Sequence, residues 1–440
     1  MPDAARPTTV RYHVVAVTAV AALWMYIDRV CFSTLSPDIG KELGIAANEM
    51  SFVLGAFFFT YALFQIPIGS LADRYGPRAV LTLSIVAWSL CTAFTSLAAS
   101  AAVLLAVRLG LGACEAGAYP AAAGLVRRWA SAGERGRLSS AVAFGGRIGG
   151  AIAPVLTALA AVSWLGRPGE ANWRGVFLLY GVLGLLAAIA FWIVVRDDPA
   201  RHPWANSAEA ARVPPPPPTP ASPTPWLLRV LALAASGNMW LFGATQFFVN
   251  IGWAFLITNL PGYLRERFEL DTEAIGTMQT VPLVASCVGM AVGGLFGDLM
   301  YRRLGPRWGR SVPIAGVLVL CAVTYFVATL LPNAWAVIGA LALMAFLVDL
   351  AIPSIWAFAQ DVGGRHVGAA LGFGNMLGNF GAAVSPIALH VVRKEFGWDV
   401  AFFLCAACFV LAGGCGACLN ALIPVTRETP DPEAEDYREA

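Results

Sequence analysis

Long apolar runs separated by short polar turns dominate the pattern along this chain. A helix needs about 20 apolar residues to cross the core of a bilayer. Twelve runs approach or exceed that length, near 14–35, 51–71, 79–98, 101–126, 138–163, 173–195, 230–264, 275–300, 312–331, 334–360, 366–391 and 399–424. The pattern therefore predicts an all-α membrane protein with twelve transmembrane helices.

The stretch 196–229, between the sixth and seventh runs, breaks this pattern. It contains an unbroken run of prolines over 214–218, which favours polyproline II and a semi-rigid spacer. We expect five parts: a tail over 1–13, a six-helix bundle over 14–195, a proline-rich linker over 196–229, a second six-helix bundle over 230–424 and a tail over 425–440.

Composition and charge agree with a membrane location. Apolar residues make up 58% of the chain and charged residues only 13%, whereas soluble proteins carry about 25% charged residues. If the N-terminus is cytoplasmic, nineteen Lys and Arg residues fall on that side of the membrane and seven on the other. The positive-inside rule then places both termini and the linker in the cytoplasm. We expect the protein in the inner membrane of the cell. The basic residues form no stripe, which argues against nucleic-acid binding.

Full charges inside the apolar runs are the first candidates for function. Asp28 and Arg29 lie within the first run, and Arg108 and Glu115, seven residues apart, share one face of the fourth helix. An ionisable group at membrane depth costs roughly 2.5–3.5 kcal/mol, so it indicates a functional site by default. The alternatives are that Asp28 and Arg29 form an ion pair that only fixes helix packing, and that Arg108 only holds Glu115 or the cytoplasmic helix ends together.

The two halves of the chain repeat one loop pattern. The second-to-third loop carries Asp73, Arg74 and Arg78, and the eighth-to-ninth loop carries Asp298 and Arg302 in a similar glycine-bearing turn. Such repetition is what two parallel six-helix repeats would leave. We expect each aspartate to pair with arginines or to cap a neighbouring helix, and these residues to act in gating.

The loop at 69–78 resembles the cytoplasmic signature of the major facilitator superfamily. Further stretches resemble its anion:cation symporter family, namely 26–29, 56–61, 65–69, 108–116 and 260–264. The resemblance implies that the first and fourth helices line a cavity, across which Arg29 would meet Arg108 and Glu115. It also implies that the counterpart of Arg29 binds substrate and that those of Asp28 and Glu115 are linked to protonation. Members of that family carry hexuronates, aldarates, galactonate and other organic anions.

The residue chemistry suits such a carrier. The guanidinium fork of arginine fits a carboxylate bidentately, so Arg29 and Arg108 are predicted to bind an organic anion. We expect protonation of Asp28 and Glu115 to free these arginines for the substrate. Arg147, also at membrane depth, suggests a second anionic group on the substrate; alternatively, it pairs with Glu115 or reaches the cytoplasm.

Polar groups in the second half are predicted to contact the rest of the ligand, because amides and hydroxyls suit the hydroxyl groups of a sugar acid. The candidates are Gln246, Asn250, Ser354, Trp356, Asn375 and Asn379, with Tyr26 and Tyr61 as further walls of the pocket. Interhelical hydrogen bonding is the alternative for each. Asp349 in the tenth run is left without an assigned role.

These observations favour a monomeric, proton-coupled importer of a small organic anion that works by alternating access in the lipid bilayer. A sodium- or potential-driven carrier, or an exporter, is the alternative on the same fold. No nucleophile–base pattern or metal-ligand cluster points to an enzyme, a metal or a cofactor. The cysteine pairs 405/408 and 415/418 are ten residues apart, about 15 Å on a helix, which is too far for one metal.

Overall fold

The computed structural model describes residues 6–165, 172–213, 226–270 and 272–425. The chain divides into two compact units, each assembled from separate stretches: Met1–Ser131, Ala141–Trp226 and Arg365–Gly372 in the first, and Ala132–Ser140, Leu227–Gly364 and Phe373–Ala440 in the second. The division after Trp226 falls inside the predicted linker. The two short stretches 132–140 and 365–372, which join the other half of the chain, were not predicted.

The first half of the chain supplies eight helices. Their bounds are α1 Val10–Leu43, α2 Ala47–Tyr75, α3 Pro77–Thr95, α4 Ala101–Glu115, α5 Ala118–Trp129, α6 Arg135–Ala158, α7 Trp173–Val194 and α8 Ser207–Ala210. Side-chain caps begin three of them, since Ser100 accepts from Val103 N before α4, Asn172 from Gly175 N before α7 and Asn206 from Glu209 N before α8. The predicted fourth run is therefore α4 and α5 in succession.

The second half supplies seven more helices. They are α9 Trp226–Ala235, α10 Gly237–Thr258, α11 Leu260–Phe268, α12 Thr272–Leu330, α13 Ala334–Val362, α14 Val367–Phe396 and α15 Trp398–Cys418. The predicted seventh run thus spans parts of three helices, of which only α10 is long enough to cross a bilayer. All four cysteines of α15 have free thiols: Cys405 and Cys408 are buried, Cys415 is half-buried and Cys418 is exposed.

Eleven helices among the described residues are long and apolar enough to cross a membrane. One of these spans, Ala274–Leu330, has 57 residues, about twice the length that a bilayer needs. Gly305 has a φ of 71° within it, a left-handed conformation that favours glycine and interrupts the helix. The long segment is therefore two spans, and the twelve predicted helices are accounted for.

Close packing of α1 against α6 determines where the first helix presents its polar residues. A Cβ atom on Gly145 or Gly149 would lie 2.2 Å from the carbonyl oxygens of Ala19 and Leu23 respectively. The two backbones therefore touch directly, as small residues allow between membrane helices. One turn along α1, Tyr26 packs over the neighbouring glycines of α6.

Residues 196–213, which the sequence assigned to the spacer, are folded onto the first unit. Glu209 is buried and forms an ion pair of 2.7 Å with Arg11, and Asn206 donates to the carbonyl oxygen of Arg6 at 2.8 Å. The structured part of the chain therefore extends past α7. The prolines of 214–225, on which the spacer prediction rested, lie outside the described residues.

Candidate functional site

An ion pair between α1 and α4 lies at the centre of the first unit. Arg29 donates to Glu115 Oε2 through Nη2 at 2.9 Å and through Nε at 3.2 Å. The Glu115 side chain is fully buried and that of Arg29 is 13% exposed. The sequence predicted that these two residues would meet. Both guanidinium bonds reach the same oxygen, and among the described residues Glu115 Oε1 has no hydrogen-bond partner.

Three aromatic rings surround the guanidinium of Arg29. Its central carbon lies 4.9 Å from the ring centre of Tyr26, 4.8 Å from that of Phe57 and 4.5 Å from that of Tyr61. Cation–π contacts of this kind contribute about 0.5–2 kcal/mol each. Tyr26 and Tyr61 were predicted as walls of the site. Phe57 was missed, although it lies four residues before Tyr61 and therefore on the same face of α2.

Arg108 contacts the other side of this group without joining the ion pair. Its guanidinium carbon lies 4.3 Å from the ring centre of Phe32 and 4.9 Å from that of Phe57. The residue is 2% exposed, and within the described residues its Nε and Nη1 have no hydrogen-bond partner. The alternative that Arg108 serves to hold Glu115 therefore has no ion pair to support it.

Asp28 is separated from its sequence neighbour Arg29. The residue is 1% exposed, and neither carboxyl oxygen has a hydrogen-bond partner in the part of the chain that the structure describes. Its carboxyl group faces Thr92 of α3, whereas Arg29 reaches α4. The two residues thus do not form the ion pair that the sequence left open.

Tyr119 of α5 closes the same region. Its hydroxyl oxygen lies against Gly146 of α6, and its ring is 6.3 Å from that of Tyr26. Arg147 follows Gly146 and is half-buried. Tyr119 was not predicted, because an aromatic residue in an apolar helix gives no sign of whether it lines a site or packs in a core.

The amide side chains of the second unit form a group of their own between α10 and α14. Gln246 Nε2 donates to Asn375 Oδ1 at 3.2 Å. Asn250 and Asn379 each donate to the carbonyl oxygen four residues earlier, Gln246 O and Asn375 O, at 2.8 Å. These donors are therefore satisfied within the unit, and the role of the four residues in ligand contact stays a prediction.

Ser354 and Trp356 of α13 are both buried. The hydroxyl of Ser354 lies against Gly297 of α12, where a Cβ atom would be only 2.6 Å away. Its position is that of a helix-packing residue, and ligand contact by Ser354 or Trp356 is not tested by these distances. Asp349, on the same helix, is also fully buried.

The two loop aspartates act as helix caps. Asp73 accepts hydrogen bonds from Gly368 N at 2.8 Å and Ala369 N at 2.9 Å, in the first turn of α14. Asp298 accepts from Gly136 N at 2.9 Å and Arg137 N at 3.1 Å, in the first turn of α6. The sequence left pairing and capping open, and the structure shows capping. Each cap holds one of the short stretches that join the other half of the chain.

The loop arginines have separate partners. Arg78 lies 3.6 Å over the ring of Trp192 and donates to its carbonyl oxygen, while its backbone N–H donates to Asp197. Arg302 donates to the carbonyl oxygen of Gly133 at 3.3 Å, and Arg74 lies over the ring of its neighbour Tyr75. Their part in gating stays a prediction.

A buried charge cluster near the second cap was missed. Arg310 is fully buried and donates to Asp361 Oδ2 at 2.8 Å and to the carbonyl oxygen of Ala132 at 2.9 Å. Arg135 binds the other oxygen of Asp361. The sequence analysis singled out neither Arg310 nor Asp361, because neither lies within an apolar run.

Comparisons with known proteins identify the class to which this arrangement belongs. The family model described as the Major Facilitator Superfamily matches residues 18–386. The chain belongs to the Major Facilitator Superfamily. It is therefore a multi-pass membrane transporter and not an enzyme, as the sequence predicted.

Curated relatives match most of the length of this chain. The probable sulfoacetate transporter SauU of Cupriavidus necator is 29% identical over 98% of each chain. The probable L-galactonate transporter of Escherichia coli is 29% identical over 89% of this chain and 85% of its own. The hexuronate transporter of Bacillus subtilis is 26% identical over 90% and 89%.

Solved structures support the superfamily fold. The human organic anion transporter MFSD10 has a TM-score of 0.70 at 17% identity, covering 92% of this chain and 99% of its own. The Escherichia coli fucose:proton symporter FucP has a TM-score of 0.71 at 15% identity, covering 93% and 98%. At these identities the likeness concerns the fold alone.

Proposed function

We propose that the chain is a proton-coupled symporter that carries a carboxylate-bearing organic anion of the hexuronate, aldarate or aldonate type by alternating access. The observation that carries this proposal is the buried pair of Arg29 and Glu115 inside two membrane-spanning helices. The curated relatives, named for sulfoacetate, L-galactonate and hexuronate, support an organic acid as the substrate.

Exchange of carboxylates at Arg29 couples binding to protonation. The guanidinium already holds one carboxylate, that of Glu115, and a substrate carboxylate competes for the same N–H donors. Displacing Glu115 as a charged group would leave a buried, unpaired anion, which costs about 3–5 kcal/mol. A proton on Glu115 removes that cost, so substrate binding is favoured when a proton is taken up.

Asp28 is the second proton acceptor in this proposal. It is buried, faces the hydroxyl group of Thr92 and forms no ion pair with another described residue, and an ionised carboxyl in such a place is strongly disfavoured. Its neutral form is therefore the one that fits the observed surroundings. Because Asp28 and Arg29 face different helices, a proton can bind to Asp28 while the pair of Arg29 and Glu115 stays closed.

Arg108 and Arg147 supply the remaining positive charge. Arg108 has guanidinium N–H groups without partners in the described residues, which suits a substrate oxygen. Arg147 binds a second anionic group of the substrate. Sulfoacetate, after which one relative is named, carries two anionic groups, a sulfonate and a carboxylate. Release of the caps at Asp73 and Asp298 accompanies reorientation in this scheme. We place the protein in the cell inner membrane as a monomer with both termini cytoplasmic.

Uptake into proteoliposomes with an imposed pH gradient tests the proposal. The probes are radiolabelled glucuronate, glucarate and galactonate, with and without a protonophore. We expect Glu115→Gln to retain counterflow exchange but to lose accumulation driven by the gradient. Asp38→Asn, which alters an exposed acid on the same helix as Arg29, serves as the control.

The outcomes separate the alternatives. Full gradient-driven accumulation by Glu115→Gln would refute the coupling role of that residue. Accumulation that survives the protonophore but requires sodium or a membrane potential would favour a carrier driven by those forces. Efflux that is faster than uptake under every gradient would favour an exporter.

A further inference from the structure

An open cavity of about 620 Å³ lies in the second unit, apart from every residue assigned above. It forms where α11 and α14 end and α15 begins. Its lining consists of Glu266, His390, Arg393, Lys394, Gly397 and Trp398. The size and the concentration of basic side chains suggest a binding site that the transport mechanism does not use.

One carboxylate fixes the wall of this cavity. Glu266 accepts a hydrogen bond from Arg393 Nη1 at 2.8 Å and another from Trp398 Nε1 at 2.9 Å. The guanidinium carbon of Arg393 also lies 5.0 Å from the ring centre of Trp398. The arginine is thus held in place through one nitrogen, and its other N–H groups remain for a ligand.

The remaining charge in the cavity is positive. Lys394 and His390 are exposed, and neither forms an ion pair with another described residue. With histidine neutral, the lining carries two positive charges and one negative charge. Basic residues at the end of α14 also interact with the helix dipole, but that effect does not account for a carboxylate that orients an arginine and a tryptophan. The lining therefore suits an oxyanion.

An apolar stripe runs beside these basic residues on the same helix. Ile387 is 70% exposed and Val391 is 53% exposed, four residues apart on α14. His390 and Lys394 have the same spacing, so their stripe is rotated by only about 60° from the apolar one. Ile387 lies deeper in the span and Lys394 nearer its end at Phe396, so apolar surface lies towards the bilayer core and positive charge towards the headgroups.

We propose that this cavity binds the phosphate of an anionic phospholipid, with an acyl chain along Ile387 and Val391. Tryptophan and arginine are the side chains expected at headgroup depth, and basic pockets between membrane helices bind anionic headgroups. A soluble phosphate shares the oxyanion chemistry but would leave the apolar stripe without a partner. The acyl chain therefore distinguishes the two sources.

Native mass spectrometry of the full-length carrier in detergent tests this proposal. The probes are dioleoylphosphatidylglycerol, dioleoylphosphatidylcholine and inorganic phosphate, and the variants are Lys394→Gln and the double variant Arg393→Gln/Lys394→Gln. Phosphatidylglycerol occupancy should fall about fivefold for each cation removed. Lys41→Gln, at an exposed basic residue in the last turn of α1, is the matched control and should bind as the unmodified protein does.

Thermal unfolding without lipid keeps the test interpretable. Lys394→Gln leaves the Arg393–Glu266–Trp398 contacts intact, so its unfolding temperature should equal that of the unmodified protein. Unchanged phosphatidylglycerol binding in the double variant would overturn the proposal, as would equal binding of phosphatidylcholine or an equal loss in Lys41→Gln. Inorganic phosphate that competes with the lipid at micromolar concentration would identify a soluble-anion site instead.

Discussion

The charged residues around Arg29 in the first unit and the amides of α10 and α14 in the second bury their polar groups in opposite ways. In the first, Arg29, Arg108, Asp28 and Glu115 bring full charges between helices, and only one pair among them is closed. In the second, the amides of α10 and α14 satisfy their donors with carbonyl oxygens of the same helices or with each other. In the proposed mechanism the charged residues exchange partners with a ligand or a proton, whereas the hydrogen-bonded amides adjust a site that already exists.

Substitution of Arg29 should have the largest effect, because Arg29 forms the ion pair with Glu115 around which the charged residues of the first unit are arranged. Arg29→Lys keeps the charge but loses the fork that holds one carboxylate through two nitrogens. We expect exchange of radiolabelled substrate to fall by about 100-fold, or roughly 3 kcal/mol. Arg201→Lys, at a side chain that is 83% exposed, should exchange normally. Activity near that of the unmodified protein in Arg29→Lys would place the substrate elsewhere.

Phe57, whose ring contacts the guanidinium groups of both Arg29 and Arg108, provides the next test. Phe57→Leu removes the aromatic face that contacts both Arg29 and Arg108. Loss of two cation–π contacts should raise KM for uptake about tenfold, with little change in the maximal rate. Phe58→Leu changes the adjacent residue, whose ring is 51% exposed, and should leave KM unaltered. An equal effect of both changes would point to a general loss of helix packing.

Arg147 tests whether the charged unit recognises one anionic group or two. If it takes a second group, Arg147→Gln should slow uptake of a dicarboxylate about fivefold and leave that of its monocarboxylate analogue unchanged. The measurement is competition between glucarate and gluconate in the same vesicles. Equal rates for the two acids in both proteins would remove the second anionic group from the proposal.

Substitutions of the amide side chains on α10 and α14 should give the smallest effects. Asn379→Ala removes a donor that serves Asn375 O within α14. Even a hydrogen bond between two membrane helices contributes only about 0.6 kcal/mol on average, so the change in KM should be threefold or less. Asn250→Ala should behave alike on α10. A tenfold or larger rise in KM for either variant would show that these amides recognise substrate directly and would break the contrast between the units.

Much of the fold follows from the sequence, because apolar runs of sufficient length have few alternatives to helices in a bilayer. The spacing of Arg108 and Glu115, with the resemblance of the first helix, was enough to predict that Arg29 would lie close to Glu115. That Asp28 faces α3 depends on how α1 is rotated by the glycine contacts at Gly145 and Gly149, which no periodicity in α1 reveals.

Other features required the geometry. Phe57 and Tyr119 look like core aromatics in any apolar helix, and only their distances to Arg29 and Tyr26 show that they belong to the site. The side-chain amides of Asn250 and Asn379 donate to carbonyl oxygens of their own helices. Residue type alone does not show whether an asparagine bonds to its own helix or to another group.

The position of Phe57 also limits the distance between the guanidinium groups of Arg29 and Arg108. The guanidinium carbons of Arg29 and Arg108 are each within 5 Å of its ring centre, at 4.8 and 4.9 Å, so their separation cannot exceed the sum of those two distances. In the proposed mechanism, a substrate that binds both guanidinium groups at once must therefore place its anionic groups within reach of two cations that one phenylalanine keeps close together.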